Sequence, residues 1–201
     1  MQSIASRNTS SDRPAAGSVR LVLAGLALLL GLGCSSPLPN RDPVGEAFPR
    51  VEGESLSGES VALPDALAGA PAILLIGYVQ QTQFDIDRWI LGLLQAEVDV
   101  RVLEIPTIKG LVPTMIRGTI DDGMRAGIPE EAWSDVVTVY GDAGAIVELT
   151  GNERPQNTRV VLLDGDGQVV WFHDRGYLPN LALELVAAAR ALAAAGADEE
   201  G

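Results

Sequence analysis

Residues 73–90 read ILLIGYVQQTQFDIDRWI, and the pattern changes halfway through. Together with Pro71 and Ala72 the first part is an unbroken apolar run, as expected of a central strand covered on both faces. From Phe84 onward, Phe84, Trp89, Ile90, Leu93 and Leu94 recur at helical spacing, with Asp85 and Asp87 in a first turn where the helix dipole favours them. Between the two lies Gln80-Gln81-Thr82-Gln83, a polar and uncharged corner. A buried strand feeding an amphipathic helix is the unit of an α/β sheet.

The rest of the chain extends this unit in both directions. Before it, residues 48–64 hold two short strand-like pieces divided by a Gly/Ser turn, a predicted N-terminal β-hairpin. After it, VDVRVLEIP predicts a second core strand, and TMIRGTIDDGMRAGI a helix weakened by Gly118 and Gly123. DVVTVYG predicts a third strand and DAGAIVELTG a short helix closed by Gly151. TRVVLLDGDGQVVWFHD is a hairpin whose Asp-Gly-Asp-Gly has the residues of a tight reversal. Pro179 then opens an Ala/Leu helix that decays into an acidic tail at 197–201, expected to be disordered. The whole predicts an α/β fold, a mixed sheet with helices on both faces, over residues 47–196.

This order resembles the thioredoxin-like superfamily. The alkyl hydroperoxide reductase and redoxin branch is matched by F-P, L-S-G and V-A-L-P before the first core strand and by VVLLDGDGQVVW near the end. Within the superfamily, TVYGDAGAIVELTGN, NTRVVLLDGDGQVVWFHDRGY and the earlier Q, F, ID and RW are similar to the mitochondrial ATP synthase assembly factor family, whose members act by holding a subunit. That resemblance implies a chaperone-like binding module and a protein or peptide partner. In thioredoxins and peroxiredoxins the reactive cysteine stands where this chain has QQTQFD, and no cysteine occurs from residue 35 to 201. Thiol–disulfide exchange needs a thiolate attacking sulfur, so cysteine redox catalysis is excluded by counting. The superfamily also implies a cis-proline facing that site, and here Thr158 takes its place, with Pro155 three residues earlier as the alternative.

The candidate partner-binding residues are Tyr78, Gln80, Gln81, Thr82 and Gln83, with Asn157 and Thr158 facing them across the corner. Amides and hydroxyls can donate and accept hydrogen bonds without the desolvation cost of charge, and Tyr78 offers a seat for an apolar side chain. An alternative on the same scaffold is a non-thiol enzyme using His173, Asp174 and this corner; another is a structural envelope lipoprotein. Asp85 with Asp87 and Asp121 with Asp122 lack a calcium loop or a histidine cluster and read as solvated helix faces, so neither metal nor cofactor is expected. Trp89, spaced with Leu93, reads as core.

The chain's start indicates a compartment. Arg7, Arg13 and Arg20 precede LVLAGLALLLGLGC, the basic region and short apolar stretch of an export signal over residues 1–33. The apolar stretch falls short of the ~20 residues a spanning helix needs. Cys34, the only cysteine, follows a glycine as in the lipobox of bacterial lipoproteins, although Gly31 stands where a leucine is usual. Cys34 is therefore the expected lipidation site, anchoring a domain that faces the periplasm, the alternatives being an ordinary cleaved signal peptide or an uncleaved anchor. Ser35 and Ser36 resemble the sorting signal for the outer membrane, and residues 34–46, with three prolines, read as an extended tether. The net charge is −13, and removing residues 1–33, with three Arg and one Asp, makes it −15. So acidic a body argues against nucleic acid and against adsorption to anionic lipid, leaving Cys34 as the membrane attachment.

Overall fold

A computed structural model describes residues 37–110, 112 and 114–199. Residues 1–36, which include the expected export signal and Cys34, and the last two residues lie outside the described residues. The element order is β1 (Val51–Ser55), β2 (Ser60–Leu63), β3 (Ala72–Gly77), α1 (Gln83–Gln95), β4 (Arg101–Pro106) and α2 (Thr114–Arg125). It continues with β5 (Val137–Thr138), α3 (Ala143–Thr150), β6 (Arg159–Leu163), β7 (Val169–His173) and α4 (Pro179–Glu199).

The central sheet has the order β4-β3-β6-β7, with β3 parallel to β4 and antiparallel to β6. As the unbroken apolar run predicts, every residue of β3 is buried. Alternation sorts its side chains. Leu74 and Ile76, with Val161 and Leu163 of β6, pack against Ile146 and Leu149 of α3 and against Val51 and Leu63 of the hairpin. Ile73 and Leu75, with Val160 and Leu162, pack under Trp89 of α1 and Leu185 of α4. The mixed sheet with helices on both faces is thus observed, and Trp89 lies in the core at 0% exposure.

Three sequence expectations are corrected here. The third strand shrinks to two residues that pair antiparallel with β1, while the flanking Val136 and Val139 bridge in parallel to Glu104 of β4 and to Thr107 just beyond it. The tail is helical to Glu199, since alanine has the highest helix propensity and the single Gly196 costs only about 1 kcal/mol. Residues 37–46 form a strap fastened to the domain rather than a loose tether. Leu38 N donates to Asn152 Oδ1 (2.8 Å), Arg41 N to Thr150 O (3.3 Å) and Gly45 N to Val169 O (2.8 Å). Gly151 permits this close passage, because it has φ +68° and any Cβ there would collide with the carbonyl of Pro39.

Candidate partner-binding groove

The polar corner folds as a 3-10 turn, Gln80–Thr82, running directly into α1. Its residues divide between surface and interior. Gln80 and Gln81 are exposed and Gln83 is half-buried. Thr82 is buried, accepting from Val79 N (3.3 Å) and donating to Pro155 O (2.7 Å). Tyr78 shares the face of Ile76 by alternation, so its ring turns inward, and its hydroxyl meets Thr150 Oγ1 at 2.6 Å. Burial pushes its phenol up to about 12. Tyr78 is therefore no seat on the surface. Asn157 is half-buried and donates from Nδ2 to Asp174 O (3.0 Å), while Thr158 is 0% exposed. The one cis peptide among the described residues is Leu63–Pro64, so neither Thr158 nor Pro155 follows one.

Two buried charges knit the loop before β6 to its surroundings. Asp85 is not a solvated residue of the helix face. It is 8% exposed, and its carboxylate accepts from Thr158 N (2.9 Å) and Tyr177 N (2.9 Å), tying the start of α1 to the segments entering β6 and leaving β7. Arg159, 0% exposed, donates from Nη1 to Arg154 O (2.6 Å) and Asn157 O (2.9 Å), and from Nη2 to Asn40 Oδ1 (2.7 Å) of the strap. Its guanidinium also lies 5.3 Å from the centre of the Tyr78 ring. Burial lowers its affinity for the proton, while Tyr78 and Asp174 offset this. Such carbonyl acceptors suit a buried cation that has no direct carboxylate partner.

Beside this knot, and sharing Asp85 with it, lies an open groove of about 400 Å³, lined also by Gln81, Phe84, Arg88, Asn157, Arg175 and Tyr177. Phe84 is 71% exposed, not part of the inner face. The buried face of α1 is set by Ile86, Trp89 and Leu93, and Phe84 lies about 200° around the helix from Ile86. Sequence reasoning missed Phe84, Arg88, Arg175 and Tyr177 as lining residues. The available signal was the phase of the helix, since a stripe through Ile86, Trp89 and Leu93 excludes Phe84. Tyr177 also packs edge-on against Trp89, with ring centres 5.4 Å apart, so the groove wall rests on the core.

Other titratable groups are engaged within the fold. Glu104, 7% exposed, is pushed up to about 7 by burial, with a contact from Gln83 Nε2 (3.5 Å) pulling down and Asp87 adding to the rise. Asp121, read as solvated from sequence, is buried and accepts from the Tyr140 hydroxyl (2.9 Å), whose phenol is raised by burial and then by Asp121. His173 Nε2 bonds to Gly176 O (2.8 Å), and Asp174 Oδ2 accepts from Asn40 Nδ2 (2.7 Å). His173 and Asp174 thus each have a partner other than one another. Among the described residues no three His, Cys, Asp or Glu side chains gather as a metal site.

No protein-family model matches the sequence, and no curated protein sequence does. Solved structures do match. A proposed protein disulfide isomerase from Bacteroides thetaiotaomicron is 16% identical, covering 82% of this chain and 99% of its own, with a TM-score of 0.52. BsSco, a member of the Sco family of cytochrome c oxidase assembly proteins, is 13% identical, with 75% and 96% covered and a TM-score of 0.51. A proposed electron transfer protein from Aquifex aeolicus VF5 is 18% identical, with 73% and 92% covered and a TM-score of 0.50. At such identities the likeness is one of fold. The mixed sheet, the helices on both its faces and these likenesses together give the chain a thioredoxin-like fold.

Proposed function

We propose that this chain is a thiol-independent binding module of the cell envelope, anchored by lipid at Cys34 and facing the periplasm, which holds a segment of a protein partner in the groove beside Gln81. One observation carries the reading. At the junction of β3 and α1 the chain has an open groove with an exposed aromatic ring, while residues 35–201 contain no cysteine. Without a thiolate the corner has no route to disulfide chemistry. What remains is recognition: the Gln81 amide can both donate to and accept from a bound backbone, and the Phe84 ring can cover an apolar side chain. Of the buried residues of the corner, Thr82 and Thr158 hold the loop that carries Asn157, through Pro155 O and Asp85, while Tyr78 packs toward α3. Gln81, Gln156 and Asn157 supply the groove's polar rim, while Gln80 and Gln83 lie outside the lining, Gln83 bonding to Asp87 and meeting Glu104. Sequence motifs similar to the mitochondrial ATP synthase assembly factor family support a holding role, as does the export segment for the location.

The test is a photo-crosslinking residue placed at Gln81 in cells, with a control at exposed Asp166 in the β6–β7 turn at the opposite end of that hairpin. A discrete higher-mass adduct at Gln81 and none at Asp166 is expected. Equal labelling at both positions, or none, overturns the reading. For the anchor, Cys34→Ser should move the protein out of the membrane fraction; sedimentation with membranes after a high-salt wash would refute lipid attachment.

A further inference from the structure

We infer that the groove selects an acidic segment of its partner, a carboxylate meeting Arg88 and Arg175 while a neighbouring apolar side chain rests on Phe84. This rests on the binding-module reading and names its ligand. The argument begins with charge. The chain carries 27 Asp and Glu against 14 Lys and Arg, so acids are in surplus for every arginine. Five arginines take one: Arg41 with Glu46, Arg50 with Asp65, Arg101 with Asp135, Arg125 with Asp122 and Arg190 with Asp99.

Arg88 and Arg175 line the groove, are exposed, and pair with no carboxylate among the described residues. The reason lies in what holds the acids beside them in sequence. Asp85, three residues before Arg88, is turned inward onto Thr158 N and Tyr177 N. Asp87 accepts from Gln83 Nε2 (3.0 Å), and Asp174 from Asn40 Nδ2 (2.7 Å). Asp85 itself contributes to the groove's lining, but each of its oxygens already accepts a backbone N–H, so the lining holds two arginines with no ion-pair partner among the described residues against one carboxylate engaged by the backbone. Lys109 and Arg154 are exposed and unpaired too, but neither lines it.

The geometry fits a carboxylate, which the planar fork of a guanidinium binds through two parallel hydrogen bonds. Phe84 provides the apolar component that a free anion would not use. The acidic body does not cancel the attraction, since charges beyond the Debye length of ~8 Å are screened at physiological salt while the two arginines act at contact. A carboxylate side chain next to Leu or Phe in an extended segment meets both requirements.

The experiment uses the full-length chain in detergent micelles and three fluorescein-labelled, end-blocked octapeptides: alternating Glu with Leu and Phe, the same with Gln for Glu, and the same with Lys for Glu. Fluorescence anisotropy should show the Glu peptide binding about tenfold more tightly than the Gln peptide, and the Lys peptide more weakly still. Arg88→Glu with Arg175→Glu should reverse the order in favour of Lys, and the double Gln variant should abolish the preference. Neither arginine holds an ion pair among the described residues, so both variants should keep the parent's circular dichroism and melting temperature. Equal binding of the Glu and Gln peptides, or an unchanged order in the charge-reversed variant, overturns acidic selection while leaving the Gln81 crosslink to stand or fall separately. Loss of Glu-peptide binding when phosphatidylglycerol, but not phosphatidylcholine, is mixed into the micelles, with the loss absent in the double Gln variant's residual binding, would assign the arginines to lipid and overturn it as well.

Discussion

The loop of residues 151–158 has an inner and an outer side, and they are built on opposite terms. On the inner side the charged groups have internal partners: Asp85 takes two backbone N–H groups, Arg159 gives three hydrogen bonds although its Nε has none, and Thr82 reaches Pro155 O. On the outer side Gln81, Phe84, Arg88 and Arg175 are exposed. The contrast shows how a thioredoxin-like fold can tie the buried charges of this corner to its own backbone and leave the polar and aromatic side chains of the groove open to solvent. Charge that would otherwise be available at the helix start is spent on fastening loops, because an unpaired buried backbone N–H is costly. The groove's character therefore comes from side chains the fold does not need.

The inner side can be broken most severely at Arg159. Arg159→Met roughly keeps the volume but removes the donor to Asn157 O and one of the two donors to Arg154 O and Asn40 Oδ1, which retain Asn157 N and Glu153 N. Loss of these bonds in a buried site predicts about 4 kcal/mol of destabilisation, read as a lower urea midpoint at constant m-value. It should also free the strap, so that trypsin cuts after Arg41 in the variant well before it cuts the parent. A variant as stable and as resistant as the parent would mean that the inner side does not hold the corner.

Glu104 sharpens the comparison from beside the groove, since half-buried Gln83 at the start of α1 reaches this buried carboxyl. Its folded value of about 7 lies above the ordinary 4.5, with burial as the main cause. Between those values the folded state binds more protons than the unfolded one, so this group's contribution is fully present below pH 4.5 and is lost as pH rises to 7. Glu104→Gln should leave stability nearly unchanged at pH 4.5 and raise it at pH 8 by up to roughly 3 kcal/mol. Denaturant titrations of both proteins across that range check it; parallel stability profiles would show that Glu104 ionises at no cost inside the fold.

How much of this was legible in the sequence depended on how far apart the interacting residues lie. The β3 run, the short α3 closed by Gly151 and the last hairpin are written in patterns a few residues long, and the structure has them. The strap was not legible, because its partners at Thr150, Asn152 and Val169 lie more than a hundred residues away and three prolines look the same in a tether. Asp85 was misread for the same reason: a carboxylate in a first turn suits the dipole in either setting, and its acceptor role depends on residues 158 and 177. For Tyr78 the clue was local, since it stands two residues beyond buried Ile76.

The outer side gives the smallest effect on stability and the most direct question about binding. Phe84 is 71% exposed, so folding removes little of its ring from water, and phenylalanine and serine have similar helix propensities. Phe84→Ser should therefore change unfolding free energy by no more than about 0.5 kcal/mol. Its neighbour in the groove, Tyr177, packs on Trp89 from the other side and should keep that contact. If the ring is part of the recognition surface, the crosslinked adduct at Gln81 should fall severalfold in a protein that melts as the parent does. A loss of several degrees in melting temperature would instead show that Phe84 supports the fold. Unchanged stability with an undiminished adduct would remove the aromatic element from the groove and leave the comparison resting on its arginines alone.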